Sequence, residues 1–276
     1  MPDNYDKYYL FDDTFFKDNT PVLSLDMLTD NLLILYEDMY VVSSQLPFWK
    51  YHREVLLESM SALGIENAFL YVDNDLKDRI IRLVNKNKFF TGASVRLLIL
   101  VSQKGEVHRL AFAHHIRMKN FTLNRKAPIL KGFENNVVFP NSNFSWIKLY
   151  DTPLYILKRL EAPRLEEINV IKDNDGRIID TVDNSLFVVQ SGKVVTPSVE
   201  QGAKLRAMQK VIVNYLKQLD YAVEYRSLKN SDFKHADEVF LANDVLGVIW
   251  VLGYENLRYD KNLSVKLVEL LRESVE

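Results

Sequence analysis

The chain has 276 residues, 47% of them hydrophobic, and a net charge of −2, enough material for one large or two moderate cores. Acidic and basic residues are interleaved rather than gathered in the single-sign stripe that draws a protein to phosphate backbones, so no nucleic-acid partner is expected. The absence of cysteine excludes disulfides, thiolate catalysis and cysteine-bound zinc. No apolar run approaches the ~18 residues of a membrane helix. The opening MPDNYDKYYLFDDTFF lacks the basic-then-apolar order of a secretory signal, so the expectations are a cytoplasmic location and no membrane partner.

Residues 8–16 and 23–40 are rich in aromatic and β-branched side chains and predict strands. Over 48–65, Val55, Leu56, Met60 and Leu63 recur at helical spacing, and Gly64 offers a stop. A second helix is predicted over 76–87, where Ile80, Ile81 and Val84 share a face. The run ASVRLLILVS at 93–102 reads as a buried strand, joined through Gln103-Lys104-Gly105 to a partner over 107–118. Residues 1–118 thus make an N-terminal α/β domain of ordinary size. Between 119 and 146 periodicity gives way to Asn, Pro, Gly and Lys, the composition of a linker, and 119–276 is expected to be the second domain. Helical character resumes over 146–160, where Pro153 restricts the start.

Residues 165–197 contain three short runs of Ile, Val and Phe, at 168–171, 177–182 and 186–190. They are separated by Asn174-Asp175-Gly176, Asp183-Asn184-Ser185 and Ser191-Gly192. Aspartate and asparagine supply local hydrogen bonds in tight turns and glycine supplies positive φ, so the stretch predicts a β-meander. After Thr196-Pro197 the clearest amphipathic helix spans 202–221, with Leu205, Met208, Ile212, Tyr215, Leu216 and Leu219 on one side. A strand over 222–226, a strand pair through 238–241 and 247–254, and a closing helix over 265–276 complete the chain.

Several chemistries find no support. His114 and His115 alternate on a strand and face opposite ways, so no metal site is expected. Neither a Gly-x-Ser-x-Gly elbow, a Gly-Lys-Ser/Thr phosphate loop nor a dinucleotide fingerprint occurs. The pairs Glu166-Glu167 and Asp237-Glu238 read as solvated strand ends.

The succession of lysine, helix, meander, Thr-Pro, glycine, helix and DEVFLAND strand resembles the C-terminal half of fold-type IV pyridoxal-phosphate enzymes, the class IV aminotransferase and aminodeoxychorismate lyase family. It is carried by Lys148 in Trp-Ile-Lys-Leu-Tyr, Gly176-Arg-Ile-Ile-Asp180, Ser185-Leu-Phe187, Gly192-Lys-Val-Val-Thr196-Pro197, Gly202-Ala-Lys-Leu205 and Asp237-Glu-Val-Phe240. His52 and Val95-Arg96 extend it weakly into the first half. The resemblance implies a mixed α+β and α/β two-domain fold like that of D-amino acid aminotransferase. Its C-terminal domain would bind pyridoxal 5'-phosphate on a pseudo-barrel-like β-sheet. A homodimer acting on a small amino or chorismate-derived substrate is implied as well.

The resemblance also assigns roles. Lys148 would form the Schiff base and shuttle protons, and Asp180, 32 residues on, would face the ring nitrogen. The amides from Gly202 and Ala203 onward, with Lys204 or Arg206, and Asn243 with Asp244 beside it, would meet the phosphate. This chain departs from the family at several of these places. Asp180 replaces a glutamate, and the arginine expected three residues after His52 falls on Val55. Gly202 matches the second glycine of the helix start, but the first falls on Ser198 and the arginine on Leu205, one residue before Arg206. The family's Tyr-Gly-Asp-Gly-x-Phe-Glu stretch corresponds to DMLTDNLL at 26–33. Two functions follow. One is an aminotransferase or 4-amino-4-deoxychorismate lyase, the lyase favoured by Phe-Leu-Ala-Asn. The other is a catalytically degenerate, ligand-binding relative that no longer holds the cofactor.

Overall fold

Alternation of buried and half-buried residues builds the first sheet. The computed structural model describes residues 7–18, 20, 33–137, 144–150 and 167–275, without the side chains of 132–137. Its first unit comprises Met1–Asn120, Lys148–Tyr150 and Val275. It contains β1 (Tyr8–Phe11), β2 (Thr14–Lys17), β3 (Leu33–Val41), α1 (Trp49–Ala62), α2 (Asn74–Lys86), β4 (Ala93–Val101) and β5 (Val107–His115). The strands form one antiparallel sheet in the order β2-β1-β5-β4-β3. Leu35, Met39, Val95, Leu97 and Ile99 are buried at alternate positions, and α1 and α2 bring Val55, Leu56, Met60, Ile80 and Leu83 to the sheet. A smaller cluster forms from Tyr9, Leu98, Leu100 and Leu110 with Phe11, Tyr36 and Phe112 around it. The side chain of Asp73 accepts a hydrogen bond from Leu76 N–H and starts α2.

The helix expected over 146–160 has no counterpart in its described part. Residues 144–146 form a turn, and Leu149 makes an antiparallel bridge to Leu35. The free edge of β3 decides this local conformation: Tyr36 N–H donates to the Lys148 carbonyl at 3.0 Å, and Tyr150 N–H to that of Ile34 at 2.8 Å. Residues 151–160, and 26–32 of the stretch aligned with the glycine-rich motif, lie outside the described residues.

The second unit comprises Phe121–Ile147, Asp151–Ser274 and Glu276. Its elements are β6 (Ile129–Val137), β7 (Glu167–Lys172), β8 (Ile178–Thr181), β9 (Ser185–Gln190), β10 (Lys193–Thr196), α3 (Ala207–Gln218), β11 (Ala222–Tyr225), α4 (Asn230–Lys234), β12 (Glu238–Asn243), β13 (Gly247–Trp250), β14 (Gly253–Tyr254), β15 (Leu257–Arg258) and α5 (Asn262–Glu273). They make two five-stranded sheets, β15-β14-β6-β7-β8 and β11-β10-β9-β12-β13. The expected meander is therefore split. β7 and β8 pair in one sheet, β9 and β10 in the other. Between them Thr181 Oγ1 donates to the Asn184 carbonyl and accepts from Asn184 N–H, closing a turn that passes the chain from sheet to sheet. Val170 and Ile178 of the first sheet share a core with Leu186, Val188, Val195, Val239 and Leu241 of the second.

The expected helix over 202–221 begins five residues late. Residues 199–201 form a 3-10 turn closed by Gly202 at φ 92°, a left-handed conformation that glycine adopts without strain. Arg206 is extended at φ −132°, and α3 starts at Ala207. Glu238 is no solvated strand end. It is buried and accepts from Leu263 N–H, Ser264 N–H and Ser264 Oγ, which fixes the start of α5. Among the described residues no helix is long and apolar enough to cross a membrane.

Candidate functional site

In the first unit the bridge between Leu149 and β3 sets Lys148 beside an acid. Lys148 Nζ lies 2.5 Å from Glu37 Oε2, and Glu37 Oε1 lies 2.7 Å from His52 Nδ1 of α1. All three side chains are buried: Lys148 is 5% exposed, His52 1% and Glu37 0%. Burying a charge is tolerated only where it is paired, and one carboxylate here serves two bases. His52 and Lys148 are residues that the sequence singles out. Glu37 is not, although it occupies a position of β3 whose neighbours two residues away, Leu35 and Met39, are core residues. An acid placed among alternate apolar residues is the signal that would have found it.

In the second unit Asp180, at the end of β8, is buried and closed on both oxygens. Oδ1 accepts from Arg206 Nη1 at 2.8 Å and Oδ2 from Lys204 N–H at 3.0 Å. Arg206 donates further to the carbonyls of Thr181 and Val182. Burial pushes the Asp180 carboxyl above its usual range, with the Arg206 guanidinium pulling the other way. Lys204 Nζ donates to the carbonyl of Ile147 at 2.7 Å. Gly202 and Ala203 precede this cluster, and Ala203 N–H is used by the Ser198 carbonyl.

At the start of α3 the Met208 N–H donates to Asp244 Oδ1 at 2.8 Å, and Asp244 is buried. The helix start that offers an anion free amides and a favourable dipole therefore already carries a carboxylate from this chain. Asn243 is turned to its own loop: Oδ1 accepts from Val245 and Leu246 N–H, while Nδ2 donates to Asp183 O and Asn184 Oδ1. Val55 is buried, and Arg53 donates to the Val72 carbonyl. Among the described residues no three His, Asp or Glu side chains are grouped to hold a metal.

The model of the amino-transferase class IV family matches residues 34–254. The chain belongs to that family. Aminodeoxychorismate lyase of Vibrio harveyi is 29% identical over 99 residues, 36% of this chain and 36% of that protein, so the match spans about a third of this class IV relative. Among solved structures, a putative 4-amino-4-deoxychorismate lyase of Legionella pneumophila superposes with a TM-score of 0.78 at 21% identity, covering 93% of this chain and 97% of its own. The branched-chain amino acid aminotransferase of Escherichia coli gives 0.79 at 17% identity, covering 99% and 96%. The fold is that of the fold-type IV enzymes.

The class IV family is pyridoxal-phosphate dependent. A pyridine nitrogen needs a carboxylate oxygen free to face it, and a phosphate needs unclaimed donors and cations. Asp180 meets the first need poorly, because a guanidinium and an amide already hold its two oxygens. Asp244 opposes the second by placing negative charge at the start of α3. Among the described residues, Asp180 and Asp244 as placed here do not fit the cofactor.

Proposed function

We propose that this class IV family member is a small-molecule-binding relative that no longer holds pyridoxal phosphate. One observation carries the reading. The carboxylate that the resemblance assigns to the ring nitrogen is buried in an ion pair with Arg206, and the same arginine fills its remaining reach with backbone carbonyls. A ligand entering there would have to break a buried charge pair, which costs about 3–5 kcal/mol when one partner is left uncompensated. The anionic Asp244 supports the same reading at the start of α3. The homodimer and the cytoplasmic setting implied by the resemblance belong to the same proposal.

Incubation of the purified protein with pyridoxal phosphate, reduction with borohydride and peptide mapping test it. The expected outcome is no pyridoxyl adduct on Lys148 at saturating cofactor. An adduct on Lys148 that is lost in Lys148→Ala would overturn the proposal and restore the aminotransferase or lyase reading.

A further inference from the structure

We infer that Asn169 and Glu167 of β7 form a site for a neutral primary carboxamide or urea group. None of the residues that the resemblance assigns takes part, so the inference stands whether or not pyridoxal phosphate is held.

Strand alternation separates the two faces of β7. Ile168 and Val170 enter the core shared by the two sheets. Glu167, Asn169 and Ile171 take the other face, where Ile171 packs with Ile179 and Val182. The parallel register sets Lys131 of β6 beside Asn169, and Lys131 Nζ lies 2.7 Å from Glu167 Oε1. Exposure falls inward across the three: Lys131 is exposed, Glu167 half-buried and Asn169 only 4% exposed. Glu167, which reads in sequence as a solvated strand end, is therefore committed to this face.

Both polar atoms of the Asn169 side chain, Oδ1 and Nδ2, are buried without a hydrogen-bond partner among the described residues, and so is Glu167 Oε2. Burying a polar group unmet is the costly case, and an apolar side chain of similar shape would avoid that cost. A carboxamide held at this position for packing alone therefore brings the fold nothing. The unmet atoms specify their complement. Asn169 Oδ1 needs an N–H and Nδ2 needs a carbonyl, side by side in one plane, while Glu167 Oε2 needs a further N–H. A primary carboxamide or a urea carries that set on one planar frame. A carboxylate ligand lacks the N–H groups and would face the like charge of Glu167, and an ammonium lacks the acceptor that Nδ2 requires.

The probe is acetamide, titrated to about 100 mM into the isotopically labelled protein and followed by NMR, a range suited to a ligand of few atoms. Acetate and dimethylacetamide are the parallel arms, since each keeps an acceptor and lacks N–H donors. The side-chain amide signal of Asn169, identified by its loss in Asn169→Leu, is expected to shift and saturate with acetamide alone. A signal that acetamide leaves in place overturns the inference, and an equal response to either parallel probe overturns the ligand class. In Asn169→Leu the backbone amides of Ile168 and Val170 should no longer respond to acetamide, while the protein melts no lower than wild type. A clear fall in melting temperature would make the carboxamide a structural group and overturn the site. Glu167→Gln removes the anionic acceptor and is expected to weaken acetamide binding about 10-fold. Unchanged affinity in that variant would strike Glu167 from the site.

Discussion

At Asp180 the penalty of a buried carboxylate is offset by one guanidinium and one amide, so the two charges stand or fall together. Asp180→Asn is expected to destabilise the protein by about 3–5 kcal/mol, because Arg206 is left buried without a counter-charge. The double change Asp180→Leu with Arg206→Met removes both charges and should cost far less, a difference that urea unfolding measures directly. Lys148, His52, Asp180 and Arg206 are named in the sequence by the resemblance to the family. Their partners are not. Spacing along the chain does not reveal that Arg206 turns back onto Asp180, or that Glu37 joins Lys148 to His52, because each contact depends on strand register and on where a helix begins.

Among the elements, most strands and helices follow from periodicity, and the departures share a cause. Turn residues announce a reversal without naming the partner strand. Thr181 and Asn184 close a turn equally suited to a hairpin or to the passage between sheets. The apolar face that includes Leu205 reads as helix, yet Gly202 and the extended Arg206, held by Asp180, delay α3 until Ala207. Glu238 shows the converse, an acid that looks solvated in sequence and is buried as the cap of α5. The short α4 is organised by another acid. Asp232 receives a bidentate pair from Arg226 at 2.8 and 2.9 Å and the Lys229 N–H at 2.7 Å. Burial raises its carboxyl, but these donors outweigh burial and hold it below the ordinary 3.8. A depressed acid stabilises the fold above its unfolded titration point and loses that contribution as pH falls through the folded one. Asp232→Asn should therefore be destabilising by about 1–3 kcal/mol at neutral pH, with the gap from wild type closing below about pH 3.8 in urea melts.

For the whole molecule, chain order and unit membership do not coincide. Lys148–Tyr150 belong to the first unit although the residues on either side belong to the second. A fragment ending at Asn120 keeps β3 and Glu37 but lacks the strand edge and the ammonium that complete them. In such a fragment the Tyr36 amide is expected to exchange with solvent far faster than in the full chain, as hydrogen exchange would show. Protection equal to that of the full chain would mean that the bridge contributes nothing to β3.

The Leu35–Leu149 bridge also imposes an order on biosynthesis. The first sheet is translated early, yet its outer edge waits for residues about thirty positions beyond Asn120, a delay of a few seconds at about 5–20 residues per second. During that interval the nascent chain presents an unpaired strand edge and an acid without its cation. Until Lys148 arrives, that edge is open to pairing with another strand.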